Sequence, residues 1–241
     1  MPEVQLLARP KLLRLEAERL VTWTRPLIHR TVFVLAVAVA LLSYRYLLNI
    51  GPVPPIIAAN RFRTVWLVVH VGFASTALLT GVIQFSGKMR CSRPGLHRRM
   101  GRIYASSCLI GAVAGLVLAL GSSAGPIASV GFGGLAVVWF YATWLGWRRA
   151  MSGRFASHRR WMIRSWALTL AAVTLRIYIP LFEVMGLPDL PSYRAISVLC
   201  WVPNLFVAEF LIGREAGRRE PGSRSTASTA STNLSMPQRA G

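Results

Sequence analysis

Apolar residues in this chain come in blocks of about twenty, separated by short polar or basic connections, and that spacing predicts helices long enough to cross a bilayer. Six such helices are expected, at about 29–48, 63–85, 94–120, 128–147, from near His158 to near Pro180, and 193–213. Their punctuation is proline and glycine: Gly51 to Pro55 after the first, Gly121 to Pro126 after the third, Pro188 and Pro191 after the fifth. Ser92 followed by Pro94 reads as a helix start. Pro203 falls inside the sixth block, where it should kink the helix and free backbone carbonyls. The fold class read from this pattern is all-α, a polytopic six-helix transmembrane bundle.

Composition agrees, with 54% hydrophobic residues and only 15% charged ones among 241. The formal net charge of +20 raises nucleic acid as a partner, and the placement of the charge argues against it. Six basic residues precede residue 31, six lie in 88–102, six in 148–164 and five after 213. These are alternate connections, as the positive-inside rule requires of a bundle with both termini cytoplasmic. An inner (cytoplasmic) membrane, multi-pass location follows, with the lipid bilayer as the first partner. Three segments are expected: a cytoplasmic or interfacial stretch 1–28, a membrane domain 29–213, and a cytoplasmic tail 214–241 of disorder-prone composition. The first helix lacks a small-x-small cleavage site and reads as retained. Cys91, Cys108 and Cys200 have no metal-like spacing and read as free thiols. No nucleophile elbow, phosphate loop or zinc-protease motif is present, so enzyme activity stays open.

Four histidines carry the candidate chemistry. His29, among basic residues, is given no role. His70 lies among valines a third of the way into helix two and needs a polar partner or a ligand. His97 and His158 each begin a helix on the basic side and each precede two arginines. Facing imidazoles there would ligate one haem iron, with Arg98, Arg99 or Arg159 near its propionates. The competing reading is two basic helix starts at anionic lipid headgroups. Arg176 is expected on the face of His158, five turns and about 27 Å away. Two polar layers emerge: His97, His158, Glu209 and Gln84 towards the basic side, and His70, Arg176, Arg45 and Tyr178 towards the other. A haem, a quinone or a proton path would use such layers, and an Arg45–Glu183 ion pair would use part of one for stability alone.

The runs LHRRMGRIY at 96–104 and HRRWMIRSWALTLAAVTLR at 158–176, with His70 and Glu209, resemble the family of uncharacterised bacterial membrane proteins grouped as domain of unknown function 2306. The likeness covers 65–212 and carries no reaction with it. A more distant similarity to haem bundles of the cytochrome b561 type implies His70, His97 and His158 as candidate ligands of haem b; Arg176 and Glu209, from the two polar layers, are the further cofactor-binding candidates. The chain departs from that pattern at Gln84, where a second histidine would fall fourteen residues after His70. At most one bis-histidine haem is therefore expected. The first functional expectation is a haem- or quinone-linked electron-transfer module with a redox partner. The alternative is a non-catalytic component that binds lipid or a partner subunit, and a small-molecule transporter comes third. Oligomeric state is not readable.

Overall fold

The computed structural model describes residues 26–217 apart from 29, 49 and 86. His29, the segment before Pro26 and the tail after Gly217 lie outside the described residues. Among the described residues, six helices are long and apolar enough to span a membrane: α1 Pro26–Tyr46, α2 Arg63–Gln84, α3 Pro94–Leu120, α4 Pro126–Met151, α5 Phe155–Val184 and α6 Asp189–Ala216. The apolar side chains they expose, among them Phe33, Leu41, Val65 and Val130, are what a lipid-facing surface needs. Among the described residues there are no strands, and the protein is an integral, multi-pass, all-α membrane bundle.

Boundaries moved where proline was read as a stop. Pro180 lies inside α5, which continues to Val184. There proline withholds the N–H that Arg176 O would accept, and the helix carries on for about one more turn without it. The real interruptions are at Leu170 in α5 and at Cys200–Trp201 in α6. The second lies one turn before Pro203, where a missing N–H and ring crowding fall on the preceding turn. Asn204 occupies the gap, donating Nδ2 to Cys200 O at 3.1 Å and to Ala167 O at 3.3 Å. Of the carbonyls expected to be freed beside Pro203, Cys200 O is thus bonded within the bundle. Leu170 divides α5 into two halves: in the first His158 is bonded to α4, and in the second Arg176 is bonded to α1.

Neighbouring helices pack in the order α2–α3–α4–α5, with α6 against both α4 and α5. Helix α1 lies outside this group, burying Ala36, Val39 and Ala40 against Leu78 and Val173. With lipid as the solvent, apolar area drives little of this association, and close contact between small residues and interhelical hydrogen bonds take its place. At Gly131 an added Cβ would stand 2.1 Å from Ser197 Oγ, so only glycine lets α4 and α6 approach this closely.

The centre of α3, α4 and α5 is polar. Tyr104, Thr143 and Ser165 are 0% exposed and Thr169 is 4% exposed. Tyr104 Oη stands 3.0 Å from both Ser165 Oγ and Thr169 Oγ1, and Thr143 Oγ1 is 2.7 Å from Ser165 Oγ. Trp139 donates Nε1–H to Thr169 Oγ1 at 3.0 Å. The hydroxyl protons can be assigned. Thr143 donates to Trp139 O at 2.8 Å and Thr169 to Ser165 O at 2.8 Å, both backbone acceptors. Ser165 must then donate to Thr143, and Tyr104 donates to Ser165 or Thr169. Both ends of the chain terminate on carbonyls, and the network ties three helices together.

Candidate functional site: a cavity under His70 and Arg176

Two residues of the expected outer layer meet in one cavity. His70 lies seven residues into α2 and Arg176 eight residues before the end of α5, so antiparallel helices bring them to the same height. They line a cavity of about 300 Å³ at the end of the bundle away from the basic connections. Its floor is Trp139, Leu168 and Thr169, the upper side of the polar network. Its walls are apolar, with Leu67, Phe132, Leu135 and Leu175 among them. It reaches up to Ile56, Asn60 and Ser122 in the connections, and Tyr46 and Tyr193 add hydroxyls near the rim. Those connections are tied together. Asn60 donates Nδ2 to Leu118 O at 2.8 Å, Arg61 donates its backbone N–H to Gly121 O at 3.1 Å, and Ser123 donates to Ile56 O at 2.9 Å. The α1–α2 and α3–α4 connections that border the cavity therefore brace each other.

His70 is oriented by its backbone contact. Its Nδ1 is 2.8 Å from Gly111 O, and a carbonyl only accepts, so Nδ1 carries the proton. In the neutral ring Nε2 then holds the lone pair, and it has no hydrogen-bond partner among the described residues. An added Cβ at Gly115 would come within 3.0 Å of the His70 ring, which explains the glycine pair Gly111 and Gly115: one supplies the acceptor, the other the space. Arg176 donates Nη1 to Ala172 O at 3.0 Å and Nη2 to Ser43 Oγ at 2.6 Å. Neither partner is charged. Among the described acids, Glu209 and Glu215 bond to other arginines, and Glu183 and Asp189 are exposed. Arg176 is a half-buried cation without a counter-ion among the described residues.

On the basic side the expected layer is only partly assembled. His158 holds Nδ1 2.7 Å from Gly146 O, and His97 keeps a buried Nδ1 with no hydrogen-bond partner. The two are near enough to feel each other's charge. Gln84 belongs to this layer through a bond from Nε2 to His97 O at 2.7 Å. Glu209 does not turn to the histidines: it takes a two-point bond from Arg164, Nε at 2.5 Å and Nη2 at 2.7 Å. Arg159 is likewise committed to Glu215, and Arg98 and Arg99 are exposed. The cavity touches neither His97 nor His158. The Arg45–Glu183 ion pair is not formed; Arg45 donates to Tyr46 Oη at 3.1 Å and Pro52 O at 3.2 Å.

Sequence reasoning missed Ser43, Tyr46, Thr169 and Tyr193. Serine and threonine in membrane helices usually bond their own i−4 carbonyl, so nothing marks the few that also reach across. Arg164 with Glu209 did carry a signal. Each lies twenty residues from the α5–α6 turn, Arg164 before Val184 and Glu209 after Asp189, which sets them level in an antiparallel hairpin.

No curated protein and no solved structure matches the chain. The cytochrome b561 likeness gains no support from these comparisons. The family described as "Predicted membrane protein (DUF2306)" matches residues 67–212, more than half of the chain, and the protein belongs to that family.

Proposed function

We propose that the protein binds a small, largely apolar molecule with an oxygen-bearing head in the cavity under His70 and Arg176. With the basic connections on the cytoplasmic side of an inner membrane, that cavity opens outward. The observation that carries this reading is the pairing, in one apolar space of about 300 Å³, of an unneutralised guanidinium with an imidazole whose Nε2 is free. Apolar walls with a few convergent polar groups are the usual make-up of a small-molecule site. A quinone meets the description, its carbonyl taking a hydrogen bond from Arg176, and this is how electron transfer would enter. The test is thermal unfolding of the detergent-solubilised protein with a short-chain quinone or a medium-chain alcohol. Wild type should gain stability with ligand concentration, as binding to the folded state requires. Ala136→Leu, which places bulk at a lining residue that is 5% exposed, should lose that gain. Equal shifts in both proteins would reject the cavity as the site.

A haem held by His97 and His158 is the second reading, and the buried, unpartnered Nδ1 of His97 is the observation that favours it. The Nδ1–H bond of His158 to Gly146 O resembles the outer support of many metal-bound imidazoles. Arg159, committed to Glu215, leaves the propionate role to Arg98 and Arg99. A Soret band lost in both His97→Ala and His158→Ala would support this reading, and a colourless preparation from haem-replete cells would remove it.

A further inference from the structure

We infer that the cavity selects an amphipathic monoanion, a medium-chain hydroxycarboxylate, whose carboxylate rests on Arg176 and whose hydroxyl donates to His70 Nε2. This rests on the cavity reading of the preceding section and names the ligand class of that site. Arg176 supplies the first half. Its charge sits at an apolar wall, its two partners are the neutral Ala172 O and Ser43 Oγ, and the remaining N–H groups of the guanidinium have no partner among the described residues. A carboxylate satisfies them with charge-assisted bonds that a neutral carbonyl or alcohol cannot match. Ser43 cannot serve as the counter-charge, and its own hydroxyl proton goes to Val39 O at 2.6 Å.

His70 supplies the second half. Gly111 O holds the Nδ1 proton, so the neutral ring offers the cavity a lone pair and no donor. A second carboxylate oxygen there would meet that lone pair, whereas a hydroxyl would donate to it. One anionic oxygen and one hydroxyl two carbons further along the same chain, as in a 3-hydroxy acid, thus answer both groups together. The apolar walls of Leu67, Phe132, Leu135 and Leu175 take the alkyl chain. A volume of about 300 Å³ lies at the small end of ligand pockets, which suits a medium chain.

The test measures binding of four probes of one chain length to the protein in neutral nanodiscs: 3-hydroxydecanoate, decanoate, 1-decanol and decylamine. Wild type should rank them in that order. Arg176→Gln should weaken both acids by about tenfold, the loss of one charge-assisted contact, and leave 1-decanol unchanged. Arg176→Lys, which keeps the charge, should recover part of the difference. His70→Phe should abolish the preference for 3-hydroxydecanoate over decanoate. Retained 1-decanol binding in each variant, weakened by no more than one neutral hydrogen bond, shows that the cavity has survived the substitution. If 1-decanol binds and Ala136→Leu blocks it, while acid and alcohol bind alike, the head-group assignment is wrong and the cavity reading stands. Equal affinity for decanoate and 3-hydroxydecanoate in wild type overturns the role given to His70. Failure of every probe, 1-decanol included, overturns the cavity reading and this inference with it.

Discussion

Replacing Thr169 by valine keeps the shape of the side chain and removes the one acceptor that Trp139 Nε1–H has, at 3.0 Å. Trp139 is 5% exposed and Thr169 4%, so the indole donor would be left inside the bundle without a partner. Orphaning such a donor costs about 1–3 kcal/mol. Ser165→Ala provides the comparison. Tyr104 can still donate to Thr169 at 3.0 Å, and Thr143 still donates to Trp139 O at 2.8 Å, so no donor is stranded. Only a net bond is lost, about 0.5–1.5 kcal/mol, and membrane helices sit near the lower end because their unfolded state also finds partners. The ordering, Thr169→Val worse than Ser165→Ala, follows from the direction of each proton and not from how many contacts each residue makes. Reversible unfolding in mixed detergent–denaturant micelles, followed by tryptophan fluorescence and circular dichroism, measures both. Equal losses, or a larger loss for Ser165→Ala, would refute the proton assignment.

Other substitutions test the remaining contacts. Gly131→Val should destabilise by about 1–3 kcal/mol through overpacking, because a Cβ there meets Ser197 Oγ at 2.1 Å, and Gly153→Ala, with nothing within 4 Å, calibrates the cost of its positive φ alone. Arg176→Leu should lower thermal stability more than Arg61→Leu, since it cuts the tie from α5 to Ser43 of α1 whereas Arg61 is exposed; indistinguishable melting would refute the tie. Glu209→Gln should weaken the α5–α6 contact by well under 1 kcal/mol when measured in detergent, because its carboxylate side is 45% exposed and solvent screens the pair with Arg164.

The spans were legible because each needs a long apolar run, and charge alternation set their expected direction before any packing was known. The meeting of His70 with Arg176 was legible as a shared layer, since one lies near the start of α2 and the other at a matched distance from the end of the antiparallel α5. Two things were hidden. Leu170 carries no sequence mark of the interruption that divides α5. The cavity is a property of what fails to fill the space between α2, α3, α4 and α5, and small residues such as Ala112, Ala119 and Ala136 look the same whether they allow close packing or leave a gap.

Thiol accessibility tests the site most directly. In a background with Cys91→Ser, Cys108→Ala and Cys200→Ala, Ala119→Cys places one thiol on the cavity wall and Ser122→Cys one at its rim. A membrane-impermeant thiol reagent should label both from outside in oriented vesicles, Ala119→Cys more slowly, and 3-hydroxydecanoate should protect Ala119→Cys alone. Labelling of Ala119→Cys only from the cytoplasmic side, or equal rates with and without the hydroxy acid, would contradict an outward-opening ligand cavity.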